Sequence, residues 1–357
     1  MKIHVIPGKQ LTPADCARWS NLQRADPNLD SPCFRPEFVQ AVARVRDDVE
    51  IAILEEEGAA TAFFPFQRSR WGTGRPVGAG LSDFQGLIGT PRSALNIERL
   101  LRACRLGTWT FDHLPASQQV FQPYHRAASS SPFIDLSAGF DAYYAQRKET
   151  LSRIVSNTAR CIRNAERALG TMRIETLSAD DRVFRTMLDW KASQYLRTGH
   201  NNVFAFPWVI RLLDRIRCER TEAFAGMLTA VYFGDRLTAV HFGMRSYGVL
   251  HYWFPAYDVE LRQYSPGMIL LVRMVQAASS FGIRRIDLGK GDEEYKLRLG
   301  SGATAVAEGV IECRSMARAL GHAERGVSQL ARMPVLGAPA RLAARASRPL
   351  RRWMMFR

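Results

Sequence analysis

The chain has 357 residues, of which 46% are apolar and 23% charged, as expected for a globular protein that buries a full core. That length is too great for one average domain and suits two of ordinary size. A formal net charge of +15 favours anionic partners, namely phosphate-bearing cofactors, nucleic acid or an anionic membrane face. Six cysteines lack paired spacing, so neither a disulfide framework nor a zinc site is expected.

Two features of the sequence bear on location. The N-terminus has no charged segment followed by an apolar run, and no stretch is long and apolar enough to span a bilayer. Scattered cysteines fit a reducing compartment. We therefore expect a cytoplasmic protein.

Residues 1–130 are predicted to form a mixed α/β domain. Thr12 and Pro13 are typical of a helix start, and the acidic turn 55–58 is typical of a hairpin. The predicted elements are a strand Ile3–Val5, helices Thr12–Leu22, Pro36–Arg44 and Ala94–Arg105, hairpin strands Val49–Leu54 and Ala60–Gln67, and a strand Thr108–His113. The Pro- and Ser-containing segment 114–131 is the predicted connection to a second domain.

Residues 131–315 are predicted to form the second domain, which begins with a short strand Phe133–Leu136. One long helix is predicted from Phe140 to Leu169, with arginines and lysines on one face. The further predicted elements are strands Met172–Leu177, Phe224–Tyr232, Leu237–Ser246, Val249–Tyr257, Ile283–Leu288 and Ala303–Cys313, and helices Ala179–Leu196 and Pro207–Ile216.

The helix after Tyr264 is the most clearly patterned element. Its apolar residues recur at three- and four-residue spacing, Ser265 suits the N-cap and Pro266 the first helical position. Gly282 is typical of a helix C-terminus. A helix that starts in a tight turn behind a strand directs its free N–H groups past the strand end, which favours phosphate binding. An ordinary buried crossover helix would give the same local pattern.

Several motifs in this half carry a resemblance to a known family. The run 257–267, followed by residues 286–292 and by Tyr295-Lys296, resembles the GNAT-type acetyltransferase domain. The run 190–195 fits the helix before its core strands. The similarity covers about residues 147–312. More narrowly, the chain is similar to CelD-like proteins of bacterial cellulose and exopolysaccharide operons, which are relatives of the FemABX aminoacyl transferases.

The resemblance implies an α/β (α+β) fold of tandem GNAT-like domains with mixed central sheets flanked by helices, the first domain being a degenerate copy. It implies an acyl-CoA donor such as acetyl-CoA, a small-molecule or glycan-precursor acceptor, and acyl transfer to nitrogen or oxygen. The strand before the phosphate turn splays from its neighbour in this family, which places the splay near Phe254, Pro255 and Ala256. The implied cofactor-binding residues are Phe254, Ala256, Gln263, Ser265, Gly267 and Met268.

One departure from the family pattern concerns this phosphate turn. The usual glycine-rich loop is reduced here to residues 262–267. Pro266 supplies no N–H, so the anion site has fewer donors than the standard one.

Five residues are candidates for the chemistry. His241 lies mid-strand and could be a base or a buried core histidine; Asp258 could act as base or cap the turn. Asp287 ends a strand, where open α/β sheets place function, or fixes the following loop. By resemblance to the FemABX group, Lys296, beside Tyr295, would lie near the transferred carbonyl or an acceptor phosphate.

The C-terminal segment 316–357 is predicted to be a basic amphipathic tail, with nine arginines, one acid and the apolar run 353–356. It favours contact with an anionic membrane surface, which would place the protein peripherally at the inner membrane; a solvated basic tail is the other interpretation.

Three functions remain open from the sequence. The first is an acyl-CoA-dependent acyltransferase in surface-polysaccharide metabolism, the second an aminoacyl-tRNA-dependent transferase whose basic surface binds tRNA. The third is a non-catalytic, membrane-associated scaffold, for which the reduced phosphate turn is the main support.

Overall fold

The computed structural model describes residues 1–313, so the predicted tail 316–357 lies outside the described residues. The chain divides into two compact units. Within the described residues, the first unit contains Met1–Leu29, Cys33–Ser129 and residues 306–313; the second contains Asp30–Pro32 and Ser130–Ala305. The division of the sequence into functional domains stays a prediction.

The first unit is a mixed sheet with helices. Its elements are β1 (Lys2–Pro7), α1 (Pro13–Ala25), α2 (Pro36–Ala43), β2 (Val49–Glu56), β3 (Ala59–Arg68), β4 (Thr73–Arg75), β5 (Ile88–Gly89), α3 (Ile97–Ala103) and β6 (Thr108–Pro115). The strands run in the order β1-β2-β3-β4-β6, with β5 on β3. All these pairs are antiparallel except β4 with β6. Thr12 caps α1 in a capping box with Asp15, as its sequence predicts.

The second unit is also built on mixed β-structure. The remaining elements in chain order are β7 (His125–Asp135), α4 (Gly139–Gln146), α5 (Lys148–Leu169), β8 (Met172–Glu175), α6 (Asp181–Arg197), α7 (Pro207–Cys218), β9 (Ala225–Phe233), β10 (Arg236–Ser246), β11 (Val249–Tyr257), α8 (Pro266–Ala277), β12 (Arg285–Asp287), α9 (Glu294–Leu299) and β13 (Gly302–Glu312). The sheet order is β7-β12-β11-β10-β9-β8, and only β11 and β12 pair in parallel. The part of β13 from Val306 on pairs with β6 of the first unit's sheet.

Apolar burial explains the position of α8 in the second unit. Ile269, Leu270 and Met274 of α8 pack in one cluster with Ile162 of α5 and Ile286 of β12. Burying a side chain of this size contributes about 1.5–3 kcal/mol, so the start of α8 is held firmly against the sheet.

Two local predictions were wrong, and a third, the N-cap at Ser265, was right in position only. The segment 114–131 is not an open loop: a 3-10 helix covers Gln119–Tyr124 and β7 begins at His125, because strand pairing overrides the weak β propensity of its alanines and serines. The single helix predicted from Phe140 is two, since Arg147, with φ −112° and ψ 20°, leaves the helical region between α4 and α5. Ser265 precedes α8 with φ +53°, and its side chain makes no capping hydrogen bond.

Candidate active site

The site begins where β11 leaves β12. Their parallel pairing extends only from Val249 opposite Arg285 to His251 opposite Asp287. Beyond His251, β11 continues to Tyr257 while its other edge remains paired with β10. From Tyr252 on, the edge that faced β12 therefore has no strand partner in the second unit's described sheet. This free edge is where the sequence places the splay.

The end of β11 leads directly into the turn before α8. Asp258 starts a 3-10 helix, Val259–Tyr264, and its carboxylate accepts a hydrogen bond from the Glu260 amide at 2.9 Å. The amides of Met268 and Ile269 donate to the Ser265 carbonyl at 3.0 and 3.1 Å. Pro266 has no N–H, so the Gly267 amide is the donor of this first turn that stays available to an anion.

The other predicted cofactor-binding residues lie along the same path. Gln263 and Ser265 are exposed, and Gly267 and Met268 are partly buried. The side chains of Phe254 and Ala256 are buried at 3% exposure, so on β11 only the backbone is available to a ligand. The strand edge and the helix N-terminus meet where Gly267 lies against Tyr257.

His241 lies wholly inside the second unit. It is 0% exposed and its ring stacks on Tyr252 with centroids 4.2 Å apart and planes at 8°. Neither ring nitrogen has a hydrogen-bond partner among the described residues. Burial, and then the nearby His251 and Lys191, lower the pKa of His241 to about 3, so the ring is neutral at physiological pH.

The two predicted aspartates are held in ion pairs. Asp258 accepts from Arg236 at 2.8 Å while it caps the turn. Asp287 is 1% exposed and accepts from Arg285 at 2.8 Å, and Arg285 also binds Asp30 at 2.6 Å. Burial, ahead of the opposing effect of Arg285, raises the pKa of Asp30 to about 6. These contacts give both aspartates structural roles at the ends of β11 and β12.

Lys296 is a buried amine on α9, 5% exposed. Its ammonium donates to the Lys290 carbonyl at 2.9 Å and lies 3.0 Å from the Glu293 carboxylate. These two contacts close the loop 289–293, in which Gly291 has φ +143°, a conformation that favours glycine. Tyr295, partly buried, packs against the core of the second unit.

Residues 152–297 match the family model described as the acetyltransferase (GNAT) domain. The second unit has a GNAT fold. No curated protein matches the chain at a significant level.

Among solved structures, FemX superposes on 90% of this chain and 99% of its own, with a TM-score of 0.60 and 9% identity. The C-terminal domain of a protein named as a lysylphosphatidylglycerol synthetase from Agrobacterium fabrum covers 88% of this chain and 96% of its own (TM-score 0.52, 12% identity). A tandem GNAT protein from the clavulanic acid biosynthesis pathway covers 88% and 99% (TM-score 0.48, 12% identity). The predicted α/β fold class, with mixed β-structure flanked by helices and a GNAT domain, is confirmed.

The GNAT unit contains one polar residue that the sequence did not single out as a site. Lys191 of α6 donates to the Gln194 side-chain carbonyl at 3.1 Å and to the Pro255 carbonyl, on the free stretch of β11, at 3.2 Å. Burial and then the Lys296 ammonium lower the pKa of Lys191 to about 8, against a smaller opposing effect of Glu293. Its partner on β11 is 64 positions away, so no local pattern indicates the contact.

The GNAT unit thus brings Lys191 close to other titratable side chains, whereas Asp258 and Asp287 are not part of this group. Lys191 interacts electrostatically with Lys296, Glu293 and His241. Asp258 and Asp287 instead pair with Arg236 of β10 and Arg285 of β12. Within residues 1–313, no three His, Cys, Asp or Glu side chains are grouped to hold a metal ion, and no helix is long and apolar enough to cross a membrane.

Proposed function

We propose that the GNAT unit is an acyltransferase that moves an acyl group from acyl-coenzyme A to an amine or hydroxyl of an acceptor. One observation carries the proposal: the free edge of β11 beyond His251 ends beside the first turn of α8, where Gly267 lies against the Tyr257 ring. An unpaired strand edge offers backbone groups to an extended amide chain, and a helix N-terminus favours a diphosphate. Pantetheine and diphosphate are joined in that order in coenzyme A.

The donor's phosphates are assigned to the start of α8. The Gly267 amide, the positive end of the helix and the exposed Gln263 and Ser265 side chains supply favourable contacts for an anion. The pantetheine is assigned to the backbone of Phe254 and Ala256. Neighbouring Pro255 has no N–H to donate to a partner strand. A proline at this position therefore fits a strand edge that is not paired with β12.

The reacting carbonyl is assigned to the space beside Lys296. A fixed ammonium next to the thioester oxygen stabilises the negative charge that develops there in the transition state. Lys296 suits this role because its contacts with the Lys290 carbonyl and Glu293 hold it in place before substrate binds. Tyr295 follows the same loop and is assigned to the wall of the acceptor site.

The biological setting is a finer proposal. The CelD-like pattern of the sequence supports a glycan precursor as acceptor and a role in bacterial polysaccharide biosynthesis, with acetyl-CoA as the first donor to test.

For the N-terminal domain we propose an acceptor-side role; the first unit has a cavity of about 380 Å³ lined partly by Asn28, Thr90 and Ser93. We propose peripheral contact of residues 316–357 with an anionic membrane.

A second candidate is aminoacyl transfer from aminoacyl-tRNA. Two observations favour it: the α8 turn offers few N–H donors to a diphosphate, and one face of α5 exposes Arg153, Arg160, Arg163 and Arg167. Such a row of arginines is suited to a phosphate backbone. The fold likeness to FemX is compatible with it.

A transfer assay separates the two. The full-length protein is incubated with radiolabelled acetyl-CoA and a panel of amino sugars and their nucleotide derivatives, and in parallel with bulk aminoacyl-tRNA. Acetylated product and stoichiometric release of coenzyme A would support the first proposal. Deacylation of tRNA with no use of acetyl-CoA would reject it in favour of the second.

A further inference from the structure

Lys191 has the environment of a reactive amine rather than of a structural ion pair. Both of its hydrogen-bond acceptors, the Gln194 amide oxygen and the Pro255 carbonyl, are neutral. No carboxylate lies within ion-pairing distance of it among residues 1–313. Buried ammonium groups in proteins are generally paired, because isolation of a charge from water is costly. Lys191 is therefore held by two neutral hydrogen-bond acceptors rather than by an ion pair.

The location of Lys191 is equally specific. Its amine reaches the carbonyl of Pro255, in the stretch of β11 that has left β12. The Tyr195 ring lies 5.4 Å from the same nitrogen. A substrate group that approaches the free edge of β11 would meet this amine next to the strand backbone.

The charges facing Lys191 come from two other elements. Lys296 on α9 and His241 on β10 are both cationic when protonated, whereas Glu293, before α9, is anionic. Burial has the largest effect and Lys296 the next, and together they lower the pKa of Lys191 to about 8. An amine of this kind is partly neutral near neutral pH, which is the state a proton acceptor needs.

The residues proposed from sequence are less suited to that task. The His241 ring is completely buried against Tyr252, while Asp258 and Asp287 are occupied by Arg236 and Arg285. Lys191 is part-buried, and among residues 1–313 its amine forms no ion pair with a carboxylate.

We propose that Lys191 is the general base of acyl transfer, accepting a proton from the attacking group of the acceptor. This rests on the proposed function. With an ammonium acceptor, the neutral Lys191 amine removes one proton, and the free acceptor nitrogen attacks the thioester carbonyl. The carbon–nitrogen bond forms and the carbon–sulfur bond breaks. The second proton leaves the acceptor nitrogen for the departing thiolate, and Lys191 returns its proton to solvent.

The first test measures the amine itself. The full-length protein is labelled with trace acetic anhydride from pH 6 to 11, and mass spectrometry follows each lysine. We expect half-maximal labelling of Lys191 near pH 8, well below that of the exposed Lys148 on α5, and slower labelling when acetyl-CoA is present. Equal midpoints for Lys191 and Lys148, or no protection by bound acetyl-CoA, would overturn the proposal.

The second test measures turnover of acetyl-CoA by Lys191→Met, Lys191→Arg and the control Lys148→Met. We expect both Lys191 variants to lose about 100-fold or more in kcat while still binding acetyl-CoA, and the rising limb of the wild-type pH profile near pH 8 to disappear. Rescue by arginine would indicate a structural cation and contradict the base assignment. If wild-type protein does not bind acetyl-CoA, the proposed function fails; if it binds and Lys191→Met turns over normally, only the base assignment fails.

Discussion

Gly267 lies against the ring of Tyr257, so closely that a Cβ at position 267 would be 3.2 Å from Tyr257 Cδ1. The last residue of β11 and the first turn of α8 therefore meet at this pair. Because Gly267 has no side chain, its own amide, the donor of this turn that remains available to an anion, is not covered. A large side chain at position 267 would press on the Tyr257 ring, which is 37% exposed, and would cover that amide.

Removal of the Lys296 amine tests the proposed carbonyl contact. Lys296→Met should lower kcat by about 100-fold or more, since loss of one fixed donor to a developing oxyanion typically has an effect of that size. Acetyl-CoA affinity should change little, because the phosphates are assigned elsewhere. Steady-state kinetics with the exposed Lys148→Met as control provide the measurement. A normal kcat in Lys296→Met would exclude the assigned role.

Stability should depend on pH through Lys191. Its folded-state pKa of about 8 is below the ordinary 10.5, so the unfolded chain binds more protons between these values. The free energy of unfolding of wild-type protein should therefore rise, relative to Lys191→Met, as pH increases from 8 to 10.5. The rise is at most about 3 kcal/mol. Urea unfolding of both proteins at pH 7 and pH 10 measures it, and parallel curves would refute the assignment of a depressed pKa.

Gly243 is required by close packing between β10 and β11. A Cβ there would lie 2.4 Å from the His251 carbonyl oxygen and 2.6 Å from His241 Cε1. Gly243→Ala should destabilise the protein by about 1–3 kcal/mol or more, as expected for overpacking against a backbone atom. Gly107→Ala is the matched control, because the nearest atom to its added Cβ is 3.9 Å away. Denaturant unfolding should show a loss in the first variant and little change in the second.

Arg285 neutralises a buried carboxylate. Arg285→Met would leave Asp287, 1% exposed, without its partner, and removal of one member of a buried pair typically costs about 3–5 kcal/mol. The neighbouring, exposed Arg284 gives a control variant, Arg284→Met. Addition of Asp287→Asn to Arg285→Met should recover part of the loss. If the double variant is no more stable than Arg285→Met, the unpaired charge is not the cause.

Elements with a strong local pattern were predictable from sequence, and long-range contacts were not. The apolar spacing of α8 and the Thr12 cap each identify a helix, because the signal lies within a few residues. The Ser-rich start of β7 acquires its strand conformation from pairing, and Ser265 takes its positive φ from the turn it joins. The contact of Lys191 with Pro255 depends on the packing of α6 against β11. The residue pattern within either segment does not predict that packing.

The most direct measurement is the thermal stability of the full-length protein with and without acetyl-CoA, in wild type, Gly267→Trp and Lys148→Met. Ligand at a hundred times its dissociation constant adds about 2.7 kcal/mol to the free energy of unfolding, so wild type and Lys148→Met should show a clear rise in Tm. Gly267→Trp should still unfold cooperatively, with a modestly lower unliganded Tm because of the tight contact with Tyr257, and should lose the rise. An equal rise in all three proteins would show that the donor binds away from the α8 turn. No rise in wild type with acetyl-CoA or with longer acyl-CoAs would contradict the account and favour aminoacyl-tRNA as the donor.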